Sequence, residues 1–482
     1  MENPKTKITG LVLGPVLFVT LLILLGQTEL TYKATVVLAL GAWMVTWWVT
    51  EAAPISATAL LPIIIFPIFS VSSVREATQP YGDSIIFLFM GGFIIALALE
   101  KHNLHKRIAL NLIRLTGTSG DGIILGFMLS TALISMWISN TATAVMMLPI
   151  ATSVTHLLAT EVGVANEGNY KKFATGLMLS IAYAASIGGI ATIIGTPPNV
   201  VTVGFIKRFY NRDLSFANWM IVGIPLMLAI LTACYFVITK ILFRNRLASI
   251  EGSAELIKRK LQELGNISLA EKRVMAIFAI TCVCWVFRQN INHLVGSNLL
   301  DDTTIAMSGG LLMFITPVNI HKGVFVLDWG DMRNLPWGIL LLFGGGLCLA
   351  QGMEDAGLVE MVGEMIKNSG PFSLALLILT LGAMSMFLTE IMSNVALTTI
   401  FIPVVLGIAD GLKIDPVLLA LPVCFAASCA FMMPISTPPN AILFASGHIR
   451  VGEMMRAGVL LNIFSLILIF LAVITLGRWV YQ

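Results

Sequence analysis

The chain has 482 residues, 57% hydrophobic and only 11% charged, with a mean hydropathy of +0.90. A soluble domain carries about 25% charged residues, so this composition excludes a water-solvated globule and makes lipid the solvent. The formal charge of +3 singles out no nucleic-acid partner. The sequence also has no CxxC pair, His-rich spacing, HExxH motif or Walker sequence.

A stretch of about 20 apolar residues crosses a hydrocarbon core of about 30 Å. Such spans are predicted near 9–28, 33–50, 52–70, 82–100, 173–206, 219–242, 272–290, 303–318, 336–353, 416–446 and 457–479. Ile8 to Gly26 lacks a small-residue cleavage pattern and further apolar spans follow it at once, so it reads as a first transmembrane helix. Trp43, Trp47 and Trp48, ahead of Thr50-Glu51-Ala52-Ala53-Pro54, are expected to anchor at a membrane interface. Two longer apolar blocks, about 121–157 and 371–410, are interrupted by Ser139-Asn140-Thr141 and Ser393-Asn394-Val395. Both are predicted to be re-entrant hairpins, because non-helical backbone at membrane depth is tolerated only inside protein or beside water.

Lys240 to Arg273 holds eight of the 29 Lys and Arg and is expected to be cytoplasmic, as is the N-terminus with Lys5 and Lys7. Six crossings separate the two if 121–157 turns back. Lys101, Lys106, Arg107, Arg114, Lys171 and Lys172 then also fall inside, whereas Lys207, Arg208 and Arg212 fall outside and oppose the rule.

An internal repeat supports this organisation. Phe89-Met90-Gly91-Gly92, Glu100, Leu104, Ser139-Asn140 and Pro149 match Phe343-Gly344-Gly345-Gly346, Glu354, Leu358, Ser393-Asn394 and Pro403, all 254 positions apart. Gly195-Thr196-Pro197-Pro198-Asn199 recurs as Ser436-Thr437-Pro438-Pro439-Asn440, 241 positions on. Five full crossings separate equivalent points, so the second unit is expected upside down. Inverted repeats with broken helices meeting near the midplane are a secondary-transporter architecture. The expected organisation is a first transmembrane helix (1–30), a first repeat (31–243), a cytoplasmic linker (244–270) and a second repeat (271–482).

The Ser-Asn tips expose the N-terminus of a half-helix, with free N–H groups and partial positive charge. Two such tips converging could grip two carboxylates; a simple helix cap is the plainer alternative for either alone. The Thr-Pro-Pro-Asn blocks should unwind their helices and free carbonyl oxygens for a cation such as Na⁺, with a proline kink as the alternative. Basic residues are absent near tips and blocks, so a dianion would need co-bound cations and helix dipoles. Glu51 and Glu390 are either proton-relay candidates or hydrogen-bond partners of a broken helix. Asp83, Glu100 and Glu354 are assigned to interfaces. The six cysteines read as small core residues, and the six histidines receive no role.

Taken together, Trp47-Trp48-Val49-Thr50-Glu51-Ala52-Ala53-Pro54, both Ser-Asn tips and both Thr-Pro-Pro-Asn blocks resemble the divalent anion/sodium symporters, the DASS or INDY family. The resemblance runs through nearly the whole chain. It implies an all-α polytopic fold of about eleven transmembrane helices, two re-entrant hairpins, a homodimer and elevator-like movement in a bacterial plasma membrane. It implies one Na⁺ at Ser135, Ser139, Asn140 and Gly188, and a second at Thr389, Met392 (through its carbonyl), Asn394 and Ser436. It places substrate carboxylates at Ser139, Asn140, Thr141, Ser393, Asn394, Thr437 and Pro438, beside Val395. The family's second motif is often Ser-Asn-Thr; Val395 removes a hydroxyl donor there.

The expectation is Na⁺-coupled import of C4-dicarboxylates such as succinate, malate or fumarate, with no enzymatic activity and no organic cofactor. A dicarboxylate or citrate exchanger of the same fold is the alternative, followed by a sulfate or arsenite carrier. An intramembrane enzyme lacks its motifs, and a channel fits inverted repeats less well.

Overall fold

The computed structural model describes residues 4–161, 167–245, 247, 250, 252–297, 299–367 and 373–482. Arg246 of the basic segment, and Pro371 and Phe372 at the start of the second block, lie outside the described residues. The described chain is nearly all helix, with one short antiparallel ribbon, Pro317–Asn319 against Val324–Phe325.

Among the described residues, eight helices are long and apolar enough to cross a membrane, or nine if Leu269–Val286 and Arg288–Val295, bent by 74°, form one span. Of the expected spans missing from this set, 303–318 is a single helix of only 14 residues, Asp302–Ile315, and the others are divided by the sequence. Prolines split 52–70 into Ile55–Thr58 and Leu61–Ile68. The Thr-Pro-Pro-Asn blocks split 173–206 into Glu167–Gly189 and Pro197–Tyr210, and 416–446 into Pro416–Ala427 and Pro438–Phe444. A helix needs about 20 residues to cross, and most of these pieces fall short of it.

Both long apolar blocks break where expected. The first comprises Gly120–Ser135 and Asn140–Glu161, the second Leu374–Leu388 and Asn394–Leu412. Each first arm starts on a serine cap, Ser119 accepting from Gly122 N at 3.0 Å and Ser373 from Leu376 N at 3.2 Å. Each second arm is by itself of crossing length. The arms pack along the broken helices, Gly120–Ser135 on Glu167–Gly189 and Leu374–Leu388 on Pro416–Ala427. The last long helices, Phe216–Phe236 and Val451–Ala472, pack on each other, and each loosens into a π turn at its end.

One large apolar cluster holds the broken helices, and a smaller one holds the first two helices. Trp48 belongs to the smaller cluster and is not an interfacial anchor. It is buried, and its indole N–H donates to Ile55 O at 3.2 Å, closing the turn around Pro54. Trp43 and Trp47 stack edge to face over Gly14 of the first helix, where a Cβ would meet the Trp43 ring at 2.5 Å.

The basic residues that opposed the charge rule are held by partners within the fold. Lys207 donates to Ser84 Oγ at 3.2 Å, Arg208 Nε to Gln351 Oε1 at 2.8 Å, and Arg212 to Asp415 at 2.8 Å. At the end of the linker, Arg107 Nε of the first repeat meets Glu271 Oε1 at 2.6 Å, and its other nitrogens donate to Gly265 O and Leu264 O. That half-buried guanidinium fastens the amphipathic helix Ser253–Glu263 to Leu104–Leu115.

Candidate functional site

The first break builds a cluster of oxygens. Ser135 Oγ lies 2.7 Å from Asn140 Oδ1 and 2.6 Å from Ala185 O. A hydroxyl has one proton and donates to one acceptor at a time, so three oxygens share a single hydrogen here. The close approach depends on glycine. A Cβ on Gly188 would stand 2.3 Å from Ala132 O, and one on Gly189 would stand 2.9 Å from Asn140 Oδ1. Ser135 and Asn140 are therefore brought together, with Gly188 packed on Ala132 of the same arm.

The second break repeats the arrangement. Thr389 Oγ1 lies 2.7 Å from Asn394 Oδ1 and 2.8 Å from Ala427 O. The serine of one half is a threonine in the other, yet the hydroxyl oxygen keeps the same two kinds of partner. Ser135, Gly189, Leu388 and Ala427 all lie at or next to helix C-termini, where partial negative charge favours a cation. Each break thus presents an oxygen-rich end.

Each break also presents helix N-termini at Asn140, Pro197, Asn394 and Pro438, which favour anions. These half-helices pack crosswise. Asn140–Glu161 lies against Pro438–Phe444, and Asn394–Leu412 against Pro197–Tyr210. Cys424 Sγ donates to Asn199 Oδ1 at 3.4 Å, joining the two broken helices. The ion pairs of the described residues sit elsewhere, at Lys101, Arg107, Lys171, Arg208, Arg212, Lys240, Lys260 and Arg288.

The other expected site residues occupy distinct environments. Ser139 and Ser393 lie half-buried at the starts of the second arms, and Ser139 Oγ accepts from Ala142 N at 3.2 Å. Thr141 and Pro438 are exposed, whereas Thr437 is buried and caps its half-helix by accepting from Asn440 N. Met392 is half-buried. Val395 is half-buried and packs on both apolar clusters, so its methyl groups are used in packing. Ser436 is buried and donates to Glu390 Oε2 at 2.7 Å.

Glu390 is hydrogen-bonded to a broken helix, which is one of its two expected roles. The asparagine of each Thr-Pro-Pro-Asn block also has a defined task. Asn199 Nδ2 donates to Gly189 O at 2.9 Å and Thr192 O at 2.8 Å. Asn440 Nδ2 donates to Ala430 O at 3.0 Å and Met433 O at 3.1 Å. Each asparagine therefore laces its own break, taking up carbonyls that unwinding had freed. Glu51, by contrast, is an exposed left-handed cap with φ 48°.

A cavity of about 680 Å³ reaches the first tip, lined there by Ile138 and Ala142. Its far wall is the linker helix, through Lys260 and Glu263. No sequence signal marks Ala185 and Ala427, which act through backbone carbonyls and carry no side-chain signature. Among the described residues no group of three His, Cys, Asp or Glu is placed to hold a metal.

Residues 5–482 match the family described as the sodium:sulfate symporter transmembrane region. The chain is 40% identical over 474 residues to the sodium-dependent dicarboxylate transporter SdcS of Staphylococcus saprophyticus, covering 97% of this chain and 91% of that protein. It is also 40% identical over 472 residues to SdcS of Staphylococcus aureus, covering 97% and 90%. In fold it is similar to the YdaH transporter of Alcanivorax borkumensis, with a TM-score of 0.60 at 13% identity over 91% of this chain and 98% of that one.

Proposed function

The chain belongs to the sodium:sulfate symporter family of membrane transport proteins, and from that premise we propose that it imports C4-dicarboxylates such as succinate, malate or fumarate together with Na⁺. The observation that carries the coupling is the matched pair of oxygen clusters, Ser135–Asn140–Ala185 and Thr389–Asn394–Ala427. Three oxygens sharing one proton at a helix C-terminus are poised for a small dehydrated cation. Gly188 lets the first hairpin approach, while Ser139, Met392 and Ser436 complete the two Na⁺ sites. The half-helix starts at Asn140 and Asn394, with Thr141, Ser393, Thr437 and Pro438, receive the two carboxylates, next to Val395. Among the described residues the ion pairs of Arg107, Arg208, Arg212 and Lys240 lie away from these half-helix starts, and bound Na⁺ supplies the neutralising charge.

Three further features belong to this reading. The two helix–break–helix blocks are re-entrant hairpins in inverted repeats. The transport unit moves as an elevator within a homodimer in the plasma membrane. The N-terminus and the Lys240–Arg273 segment face the cytoplasm.

Succinate uptake into proteoliposomes tests the proposal, with inward Na⁺, inward H⁺ and internal-succinate conditions compared. Uptake that rises steeply with external Na⁺ and is lost in Asn140→Ala is expected. Uptake that needs only internal dicarboxylate would instead make the protein an exchanger.

A further inference from the structure

Glu390 is 4% exposed and lies between two residues assigned to the second Na⁺ site, Thr389 in sequence and Ser436 in space. Its carboxylate accepts from five groups. Oε1 receives Phe431 N at 2.8 Å, Met432 N at 3.0 Å and Asn462 Nδ2 at 3.0 Å. Oε2 receives Met432 N at 3.1 Å, Met433 N at 3.2 Å and Ser436 Oγ at 2.7 Å. Four of the five are N–H groups that can only donate, a surrounding that complements a carboxylate better than its neutral acid. No Lys or Arg is among these partners, although a buried charge is normally paired.

The repeat makes this arrangement lopsided. At an offset of 254 positions, Glu390 corresponds to Met136, whose carbonyl merely accepts from Thr192 Oγ1 at 2.5 Å. The second break therefore carries a full negative charge that the first lacks. Glu390 also takes up the Ser436 hydroxyl proton, through Oε2 at 2.7 Å or its backbone oxygen at 3.1 Å, so the lone pairs of Ser436 Oγ are left for a cation.

We propose that Glu390 is a positioning residue that makes the second Na⁺ site electrostatically stronger than the first, by adding a fixed buried charge and orienting Ser436. The inference rests on the Na⁺-coupled reading above. The carboxylate need not touch the ion. At a few ångströms in a medium of intermediate dielectric, a unit charge changes cation affinity by about tenfold or more.

The test compares wild type, Glu390→Gln and Asn462→Leu in two measurements. One is the half-saturating Na⁺ for succinate uptake. The other is the Na⁺-induced rise in melting temperature of the purified protein, with choline holding ionic strength constant. Glu390→Gln keeps the shape but removes the charge, whereas Asn462→Leu removes one donor but leaves the charge. The expected result is an increase of about tenfold in half-saturating Na⁺ for Glu390→Gln, with a smaller Na⁺-induced melting shift. Asn462→Leu should lower the melting temperature without that increase.

Equal Na⁺ responses in the two variants would reduce Glu390 to a structural tie and overturn the proposal. Should Glu390→Gln not fold, Glu390→Asp keeps the charge but draws it back from Ser436 by one methylene. There, half-saturating Na⁺ should rise severalfold, and an unchanged or lowered value overturns the proposal as well. If wild-type uptake ignores Na⁺ altogether, the underlying symport reading fails instead.

Discussion

Ser135 stands 2.7 Å from Asn140, and the same contact, at the same length, joins Thr389 to Asn394 in the other half of the chain. In each case a backbone carbonyl, Ala185 O or Ala427 O, shares the same hydroxyl proton. The chemical group is retained while the residue type changes, which ties the contact to the hydroxyl oxygen.

Removing either hydroxyl should therefore weaken Na⁺ coupling. Ser135→Ala and Thr389→Val are each expected to raise half-saturating Na⁺ for uptake by about tenfold, the worth of one lost polar contact of roughly 1.4 kcal/mol. Succinate half-saturation at saturating Na⁺ should move far less. A Na⁺ dependence identical to wild type in both variants would remove the oxygen clusters from the mechanism.

Asn199 and Asn440 each hold two carbonyls across a break. Replacing either by Leu strands those carbonyls in an apolar interior, at a cost of about 2 kcal/mol. The melting temperature in detergent should fall for both single variants. If it does not, the lacing role is wrong.

Val395 packs on both apolar clusters. Val395→Thr would bury a hydroxyl there and should cost about 1 kcal/mol of stability. Succinate half-saturation is expected to stay within about twofold of wild type, because one misplaced donor gains nothing in binding. A large gain in succinate or citrate affinity would show that this side chain faces the substrate after all.

His105 lies on the amphipathic helix Leu104–Leu115, outside the spanning helices, with Nδ1 2.9 Å from Leu99 O. Burial pushes the pKa of its imidazole down to about 4. The unfolded chain takes up the proton first, so this contribution to stability is complete above about pH 6.5 and declines as pH falls toward 4. The loss amounts to about 2 kcal/mol at pH 5. Melting temperatures at pH 7.5 and 5.0 should differ less in His105→Asn than in wild type; parallel profiles would rule the effect out.

The interruptions that define the site are local, so the chain alone reveals them. Pro197-Pro198 and Pro438-Pro439 lack N–H donors and must break a helix wherever they sit. Ser139-Asn140 and Ser393-Asn394 are polar steps in apolar runs, and their duplication marks them as paired. Composition fixes lipid as the solvent, and Ser135 and Thr389 could be named through family resemblance.

The sequence could not specify which atoms meet across these breaks. Ala185 and Ala427 contribute carbonyls that any residue type would offer, so no side chain announces them. The amides that receive Glu390 belong to Phe431, Met432 and Met433, whose side chains say nothing of hydrogen bonding. Trp48 reads as an interfacial anchor because aromatic enrichment marks membrane boundaries, yet helix packing places it in the core. Side-chain chemistry is written position by position. Backbone groups become specific only when distant segments close on one another, and that closure is a property of the tertiary structure.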